Sequence, residues 1–306
     1  VKTDTPIVNE TAIFNAQYNW YSTYGFISKD SISTIVNNNG NYRDPHVVTT
    51  LNVDSVEMNN SIMINGWMVT EGVNVASENS QTKELIILNS SNKEVLRVTG
   101  KATKRTDVTG ALGNGKYNYD YTGFSFELTR NQMSQLNEGS YKMIIQTTTD
   151  GIVQQKPFVY SKALSGSVNG IQVAFEDSVM KVIYDSPRSL DSVTSSGKAI
   201  TLKGWGYLRG IELPEQNSVV KAVILVNEKG QEVYRKNAQN TLRTDVTQVT
   251  GQGLNYNYSG YEITLGANEL NLPVGTYSVL LEVNTNGVYK TLPIYGSITT
   301  IPINDN

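Results

Sequence analysis

A five-residue motif, Arg-Thr-Asp-Val-Thr, occurs twice in this sequence and contains the aspartates Asp107 and Asp245. Carboxylate oxygens beside backbone carbonyls and asparagine side chains suit calcium, so both aspartates are candidate calcium ligands. A calcium loop carries several acidic or asparagine residues at alternating positions, however, and each copy of this motif has only one. The alternative is structural: the aspartate caps a turn and pairs with the arginine before it, Arg105 or Arg243. We favour the structural interpretation.

Tyrosines alternate with polar residues in two segments, which makes both segments candidate sugar-binding surfaces. Tyrosine rings are amphipathic and can stack on a sugar, while neighbouring amides and carboxylates bind its hydroxyls. The candidate ligand-binding residues here are Tyr117, Tyr119, Tyr256 and Tyr258. The alternative is a strand whose alternate rings pack in a core. Because both segments keep the pattern, the core interpretation is favoured.

A third aromatic cluster lies near the N-terminus and has no second copy. It contains the candidate ligand-binding residues Trp20, Tyr21 and Tyr24, with Phe26 close by. Residues that differ between two copies of a duplication are good candidates for function, whereas shared residues more often maintain the fold. A contact surface and a role in packing are therefore both open for this cluster.

Catalytic chemistry finds little support. The single histidine, His46, lies in an Asp-Pro-His loop, and no Gly-x-Ser-x-Gly motif accompanies it. The absence of cysteine excludes thiolate nucleophiles, thiolate metal sites and disulfides. A glycosidase-like carboxylate pair stays open, because such pairs assemble across strands. The sequence predicts no catalytic residues and no cofactor, and we expect that the protein is not an enzyme.

An internal duplication places these residues in two similar segments. Gly66-Trp67 recurs as Gly204-Trp205, 138 residues later, and further blocks follow in the same order with small insertions and deletions. A repeating unit of this length is much longer than a solenoid repeat and folds independently. The sequence therefore predicts two domains, 1–165 and 166–306, with the longer N-terminal part in the first.

Strand signals dominate each copy. In 277–283 the apolar side chains alternate. The pattern Leu-x-x-Gly-x-Tyr, which ends at Tyr141 and at Tyr277, is typical of a tyrosine corner. Prolines at 157 and 293 predict a sheet edge or a bulge. Trp67 is out of phase with its strand, so either a bulge at Gly66 turns the ring inward, which we favour, or the ring lies on the outer face. The predicted fold is all-β: two tandem immunoglobulin-like, Greek-key β-sandwich domains.

Charge and hydropathy exclude two classes of partner. The 306-residue chain has a formal net charge of −3 and no cluster of basic residues, so we expect no nucleic-acid binding. No apolar run reaches the length that spans a bilayer, so we expect no membrane insertion.

The Gly-Trp, Arg-Thr-Asp-Val-Thr and Leu-x-x-Gly-[Ser/Thr]-Tyr motifs together resemble an immunoglobulin-like module repeated in secreted and cell-surface proteins of Gram-positive bacteria. The resemblance implies an extracellular binding or adhesion module whose partner is a cell-wall or host polysaccharide or a surface protein. It equally fits a structural spacer, or stalk, of a larger surface protein or secreted enzyme. An exposed aromatic cluster beside polar side chains would favour the binding module.

Overall fold

The computed structural model describes residues 48–300 of the chain. The N-terminal candidates Trp20, Tyr21 and Tyr24, together with Phe26 and His46, lie outside these residues. Within the described range the elements are antiparallel strands and helices of at most seven residues, which confirms the all-β prediction. None of the helices there is long and apolar enough to cross a bilayer.

The chain divides into two compact units, chiefly between Val182 and Ile183, which we call unit 1 and unit 2. This division falls later than the predicted boundary at 165/166. The reason is that three strands over 164–183 follow the last strand of the repeat and extend a sheet of unit 1. The Ser/Gly composition near residue 165 reflects the start of these added strands and not a linker.

Unit 1 contains eleven strands within the described range, two short helices and a 3₁₀ turn at Glu78–Ser80. The strands are β1 (Thr49–Met58), β2 (Ser61–Thr70), β3 (Thr82–Leu88), β4 (Glu94–Thr99), β5 (Lys101–Thr103), β6 (Gly123–Thr129), β7 (Gly139–Thr149), β8 (Ile152–Pro157), β9 (Leu164–Val168), β10 (Ile171–Glu176) and β11 (Val179–Ile183), and the helices are α1 (Thr106–Leu112) and α2 (Arg130–Met133). One sheet has the order β1-β2-β6-β5, and the other has β4-β3-β7-β11-β10-β9 with β8 also paired to β7.

Unit 2 repeats the first eight strands in the same order, with a 3₁₀ turn at Gln216–Ser218. Its elements are β12 (Arg188–Ser196), β13 (Ala199–Gly206), β14 (Val220–Val226), β15 (Glu232–Asn237), β16 (Gln239–Thr241), β17 (Gly260–Gly266), β18 (Gly275–Thr285), β19 (Val288–Thr300), α3 (Thr244–Thr250) and α4 (Ala267–Leu270). The sheets have the orders β12-β13-β17-β16 and β15-β14-β18-β19. This arrangement of four and four strands is that of an immunoglobulin-like sandwich, which confirms the predicted architecture.

Alternate apolar side chains of the two facing sheets form the core of each unit. In unit 1, Ile62 and Ile64 of β2 are fully buried, as are Phe124, Phe126 and Leu128 of β6. Because successive strand residues point to opposite faces, the residues between them lie on the outer face of the sheet. That outer face carries most of the motifs that the two units share.

The predicted tyrosine corner is present in unit 2. The Tyr277 hydroxyl donates a hydrogen bond to the backbone carbonyl of Pro273, four residues upstream, at 2.8 Å, while the side chain is only 5% exposed. The bond ties the start of β18 to the connection that precedes it. In unit 1 the equivalent Tyr141 is buried to the same extent.

The favoured position of the bulge was wrong. Strands β2 and β6 pair in continuous register from Ser61 to Trp67, whereas the register shift lies in the edge strand β1, around Asp54. Gly66 faces inward, and a Cβ there would lie 2.2 Å from the Asn52 carbonyl oxygen and 2.6 Å from the Phe124 ring. In the Gly-Trp motif, the glycine leaves room for the backbone of the bulged strand to pack closely, and the tryptophan lies on the outer face. Unit 2 repeats this geometry.

The two units differ at the edge where the prolines lie. Strand β8 ends at Pro157, and β11 then pairs with the remaining edge residues of β7, Gly139–Tyr141. Strand β19 instead continues past Pro293 for its full length, with register shifts around Val279 in its partner. The edge prediction is thus met in β8 and the bulge prediction in β19.

Candidate functional site

The outer face of the β1-β2-β6-β5 sheet carries a small second core in unit 1. Val69, Val108 and Tyr119 form a buried cluster, and the half-buried Trp67 packs against it. Val108 comes from α1, which is how the Arg-Thr-Asp-Val-Thr motif attaches to the sheet. The Tyr119 hydroxyl accepts a hydrogen bond from the Gly72 backbone N–H at 3.1 Å.

Unit 2 builds the same cluster with more aromatic area. The Tyr256 ring stacks on Tyr207, with 4.0 Å between the ring centroids, and Tyr207 contacts Trp205 in turn. The Tyr256 hydroxyl accepts a hydrogen bond from the Gly210 backbone N–H at 2.9 Å. Both units thus use a tyrosine at this position to tie a distant loop to the sheet.

These contacts correct the prediction that Tyr119 and Tyr256 stack on a sugar. The two side chains are 2% and 1% exposed, so neither ring offers a face to a ligand. Tyr258 is half-buried, and its backbone N–H pairs with the Leu213 carbonyl. Of the four predicted tyrosines, Tyr117 is the most exposed, at 38%.

An arginine clamp accounts for the repeated aspartates. Arg105 donates to both carboxylate oxygens of Asp107, at 2.9 and 2.7 Å, and its third nitrogen donates to Asp54 at 2.6 Å. Asp54 is the residue at the β1 register shift, so the clamp joins α1 to the bulged edge strand. In unit 2, Arg243 makes the same contacts with Asp245 and Asp191.

Electrostatics within the clamp oppose calcium binding. The hydrogen bonds from Arg105 lower the pKa of Asp107, and those from Arg243 do the same for Asp245. Both oxygens of each carboxylate already face a positive charge, which would repel a divalent cation. Among residues 48–300 no three acidic or histidine side chains form a group that could hold a metal ion. The geometry supports the structural interpretation of the motif.

An exposed aromatic platform remains in unit 1 once the buried residues are set aside. The Tyr117 ring lies against Tyr119, with 6.1 Å between centroids and an interplanar angle of 16°. Asn74 and Asn118 lie beside it. The Asn118 backbone N–H donates to the Asn74 side-chain oxygen at 2.7 Å, and the Asn118 side-chain oxygen accepts a hydrogen bond from the Asp120 backbone N–H. In the part of the chain that the structure describes, the Nδ2 groups of both asparagines have no acceptor. We call Tyr117, Asn74 and Asn118 the Tyr117 platform.

Unit 2 lacks this platform, and its loop from Gly251 to Leu254 is one residue shorter than the loop from Gly113 to Tyr117. The carbonyl that packs against the loop glycine belongs to Tyr117 in unit 1 and to Leu254 in unit 2, so leucine replaces the exposed ring. The acceptor for the following backbone N–H is Asn74 in unit 1 and Glu212 in unit 2. One aromatic ring and one free amide donor are thus specific to unit 1.

A polar groove in unit 1 is the second candidate feature. It has a volume of about 560 Å³ and lies between residues 97–99 of β4 and the outer face of β6, with Gln132 and Lys101 among its other lining residues. Its wall includes Glu127. Within residues 48–300 neither Lys101 nor Glu127 forms an ion pair. We call this space the β6 groove.

The equivalent surface of unit 2 is occupied by its own side chains. Lys236 of β15 donates to the Thr264 backbone carbonyl at 2.9 Å and to the Glu269 carboxylate. The strand pairings of the two units show which positions are equivalent. Lys236 occupies the position of Val98, and Thr264 occupies that of Glu127. Glu269 takes the place of Gln132 in the short helix that follows. The groove is open in unit 1 because it lacks this ion pair.

Two buried lysines occur at equivalent core positions that sequence reasoning did not identify as unusual. Lys83 and Lys221 alternate with core residues on β3 and β14 and are 1% and 0% exposed. The Lys221 ammonium donates to the Asn240 side-chain oxygen at 2.9 Å and to the Tyr258 carbonyl at 2.7 Å. Burial lowers the lysine pKa to about 8 for Lys83 and about 7 for Lys221. The strand period, which puts each lysine in phase with core residues, was the signal that could have found them.

Comparisons with known proteins give no family. No protein-family model and no curated protein matches this sequence. Matching solved structures include S. aureus TarS, at 10% identity and TM-score 0.30, covering 80% of this chain and 40% of that one. Another is the Group B Streptococcus pullulanase SAP, at 9% identity and TM-score 0.22, covering 79% of this chain and 23% of that one. The chain spans well under two thirds of either. A third is the FN1–FN3 domains of chicken CNTN1, at 13% identity and TM-score 0.21, with 81% and 64% covered.

Proposed function

We propose that this chain is a non-catalytic extracellular binding module that holds a cell-wall or host polysaccharide on unit 1. The observation that carries the proposal is the Tyr117 platform: an exposed tyrosine ring backed by a buried one, beside two amide groups with free donors. A sugar ring can lie on the exposed aromatic face while its hydroxyls accept from Asn74 and Asn118. A secreted or cell-surface location in a Gram-positive bacterium belongs to the same proposal.

A rigid spacer is the second candidate. It is favoured by the fact that the features which the units share are structural: the arginine clamp, the buried tyrosine and the inward glycine. These contacts fasten α1 and α3 to their sheets and would stiffen a stalk. The two candidates differ in whether the surface specific to unit 1 has a ligand.

A glycan array of the whole chain separates the two. We expect reproducible binding to one glycan class that falls about ten-fold or more in Tyr117→Leu, the residue that unit 2 carries. Tyr117→Phe keeps the ring and should retain most of the binding. Chelator should change nothing, because the clamp aspartates are engaged by arginine. Binding that is equal in Tyr117→Leu would move the ligand elsewhere, and no binding by folded protein would favour the spacer.

A further inference from the structure

Among residues 48–300, no strand pairs with the edge of β6 that faces the β6 groove beyond Ser125. The Met68 N–H donates to the Thr122 carbonyl, so, by the alternation of an antiparallel ladder, even-numbered residues of this strand pair with β2 and odd-numbered ones point to the opposite edge. The Thr129 N–H, which donates to the Gln132 side chain at 2.9 Å, points the same way. Strand β5 covers this edge only from Gly123 to Ser125.

The backbone N–H and C=O of Glu127 therefore have no partner within the described part of the chain. Its N–H and C=O point to the edge beyond the end of β5, into the space where β4 has diverged toward the other sheet. An uncovered strand edge pairs readily with another extended chain, and proteins commonly guard such edges with lysine.

Unit 2 has a lysine at the same place, Lys236, and we call Lys236 with Glu269 the lysine guard. Lys236 donates to the carbonyl of Thr264, the counterpart of Glu127, and Glu269 holds the lysine in position. Hydrogen bonding to Glu269 raises the pKa of Lys236, so the guard stays charged. Unit 1 has Val98 and Gln132 at these positions. The Gln132 side-chain oxygen accepts hydrogen bonds from the backbone N–H and the hydroxyl of Thr129.

We propose that the β6 groove binds an extended peptide segment of a partner protein, which adds as a strand to the open edge of β6. The main chain of the peptide would exchange hydrogen bonds with the N–H and C=O of Glu127. The exposed Glu127 carboxylate, which has no ion pair among the described residues, selects a basic side chain at the peptide residue opposite it. The groove volume of about 560 Å³ suits a peptide of a few residues. This site and partner are independent of the Tyr117 platform.

The probe is the peptide acetyl-Thr-Val-Lys-Val-Thr-amide, titrated into isotope-labelled whole chain and followed by NMR. We expect saturable shifts of the Glu127, Thr129 and Lys101 amides. A peptide methylated on the lysine backbone nitrogen loses the donor that faces Glu127 and should bind about ten-fold more weakly or not at all. Methylation of the neighbouring valine nitrogen, which points away from β6, is the matched control and should have little effect.

Two variants make the test independent of folding defects. Val98→Lys with Gln132→Glu copies the guard of unit 2 and should abolish the shifts. Val98 is 4% exposed, so circular dichroism and Tm are measured to verify that this variant is folded. Lys236→Val with Glu269→Gln should create a second site at Thr264, which binds the peptide more weakly because it lacks the carboxylate of Glu127. The proposal is overturned if saturating peptide leaves Glu127 unshifted, if both N-methylated peptides bind alike, or if the guarded variant binds like wild type.

Discussion

Unit 1 and unit 2 share the contacts that fasten their loops and helices to the sheets, and they differ at two surface sites. Both have an inward glycine under a bulged edge strand, an arginine between two aspartates and a tyrosine hydroxyl that holds a distant loop. At two equivalent surface positions of the described chain, unit 1 has the exposed ring of Tyr117 and the β6 groove, whereas unit 2 has Leu254 and the lysine guard. The difference teaches that motifs repeated in a duplication report the fold, whereas the positions that diverged are where a ligand is to be sought.

The largest effect is expected when the shared interior is broken. Gly66→Ala places a Cβ 2.2 Å from a backbone oxygen, and Gly204→Ala does the same at 2.1 Å. We expect each to destabilise its own unit by about 3 kcal/mol or more, because the backbone of the bulged strand must move. Hydrogen exchange by mass spectrometry would show lost protection in one unit and not the other. Equal, small effects in both would contradict the packing role of the glycine.

The buried lysines should make the stability of the two units depend on pH over different ranges. With the pKa lowered to about 7 in the fold and near 10.5 when unfolded, Lys221 binds fewer protons in the folded state between these values. The free energy of unfolding of unit 2 should therefore rise with pH over this window, by on the order of 2 kcal/mol from pH 7 to 9. For Lys83 the rise begins near pH 8.

Urea unfolding at several pH values measures this rise, with peptide-level hydrogen exchange separating the units. Lys221→Met is the control, since it removes the titrating group and should flatten the profile of unit 2 alone. A profile that stays steep in the variant would mean that other groups cause it.

Loss of the arginine clamp should have a moderate and equal effect in both units. Arg105→Ala and Arg243→Ala each remove a bidentate pair and a second ion pair from a partly exposed site. We expect about 1 kcal/mol in each case, measured by chemical unfolding. A Tm of wild-type protein that falls on adding chelator would instead support calcium at Asp107 and Asp245.

The smallest effect is expected at the lysine guard. Lys236→Val with Glu269→Gln removes an exposed ion pair from unit 2, which should cost little stability because water screens such pairs. The same substitutions expose the edge of β17, so self-association should increase at high concentration, as light scattering would show. A large loss of stability without association would mean that the pair stabilises the sandwich and does not protect the edge.

Strand alternation and the duplication were enough to predict the architecture from the sequence. Alternating apolar residues and the tyrosine-corner pattern led to the sandwich that the sheets confirm. The phase of Trp67 was misjudged because the bulge lies in the neighbouring strand, which the local pattern around Gly66 does not reveal. The compact units divide later than the predicted boundary at 165/166, because β9–β11 extend a sheet of unit 1.

The candidate site was only partly predictable. Tyr117 was among the predicted residues, but the sequence does not show that it is exposed while Tyr119 is buried. That difference arises because Tyr119 packs in the cluster with Val69 and Val108 of the folded unit. Asn74 lies more than forty positions away in sequence, so only the fold brings it beside Tyr117. The β6 groove depends on valine standing at position 98 where unit 2 has Lys236. This difference becomes apparent only when the two units are compared in three dimensions.

The most direct test of the central claim is reciprocal exchange at one position. Tyr117→Leu and Leu254→Tyr would be compared with wild type for binding to the glycan class that the array selects, with NMR shifts assigned to each unit. We predict that wild-type shifts cluster at Tyr117, Asn74 and Asn118, that Tyr117→Leu loses them, and that Leu254→Tyr restores part of the binding in unit 2. Shifts that persist in Tyr117→Leu, or that lie in the features shared by both units, would contradict the account.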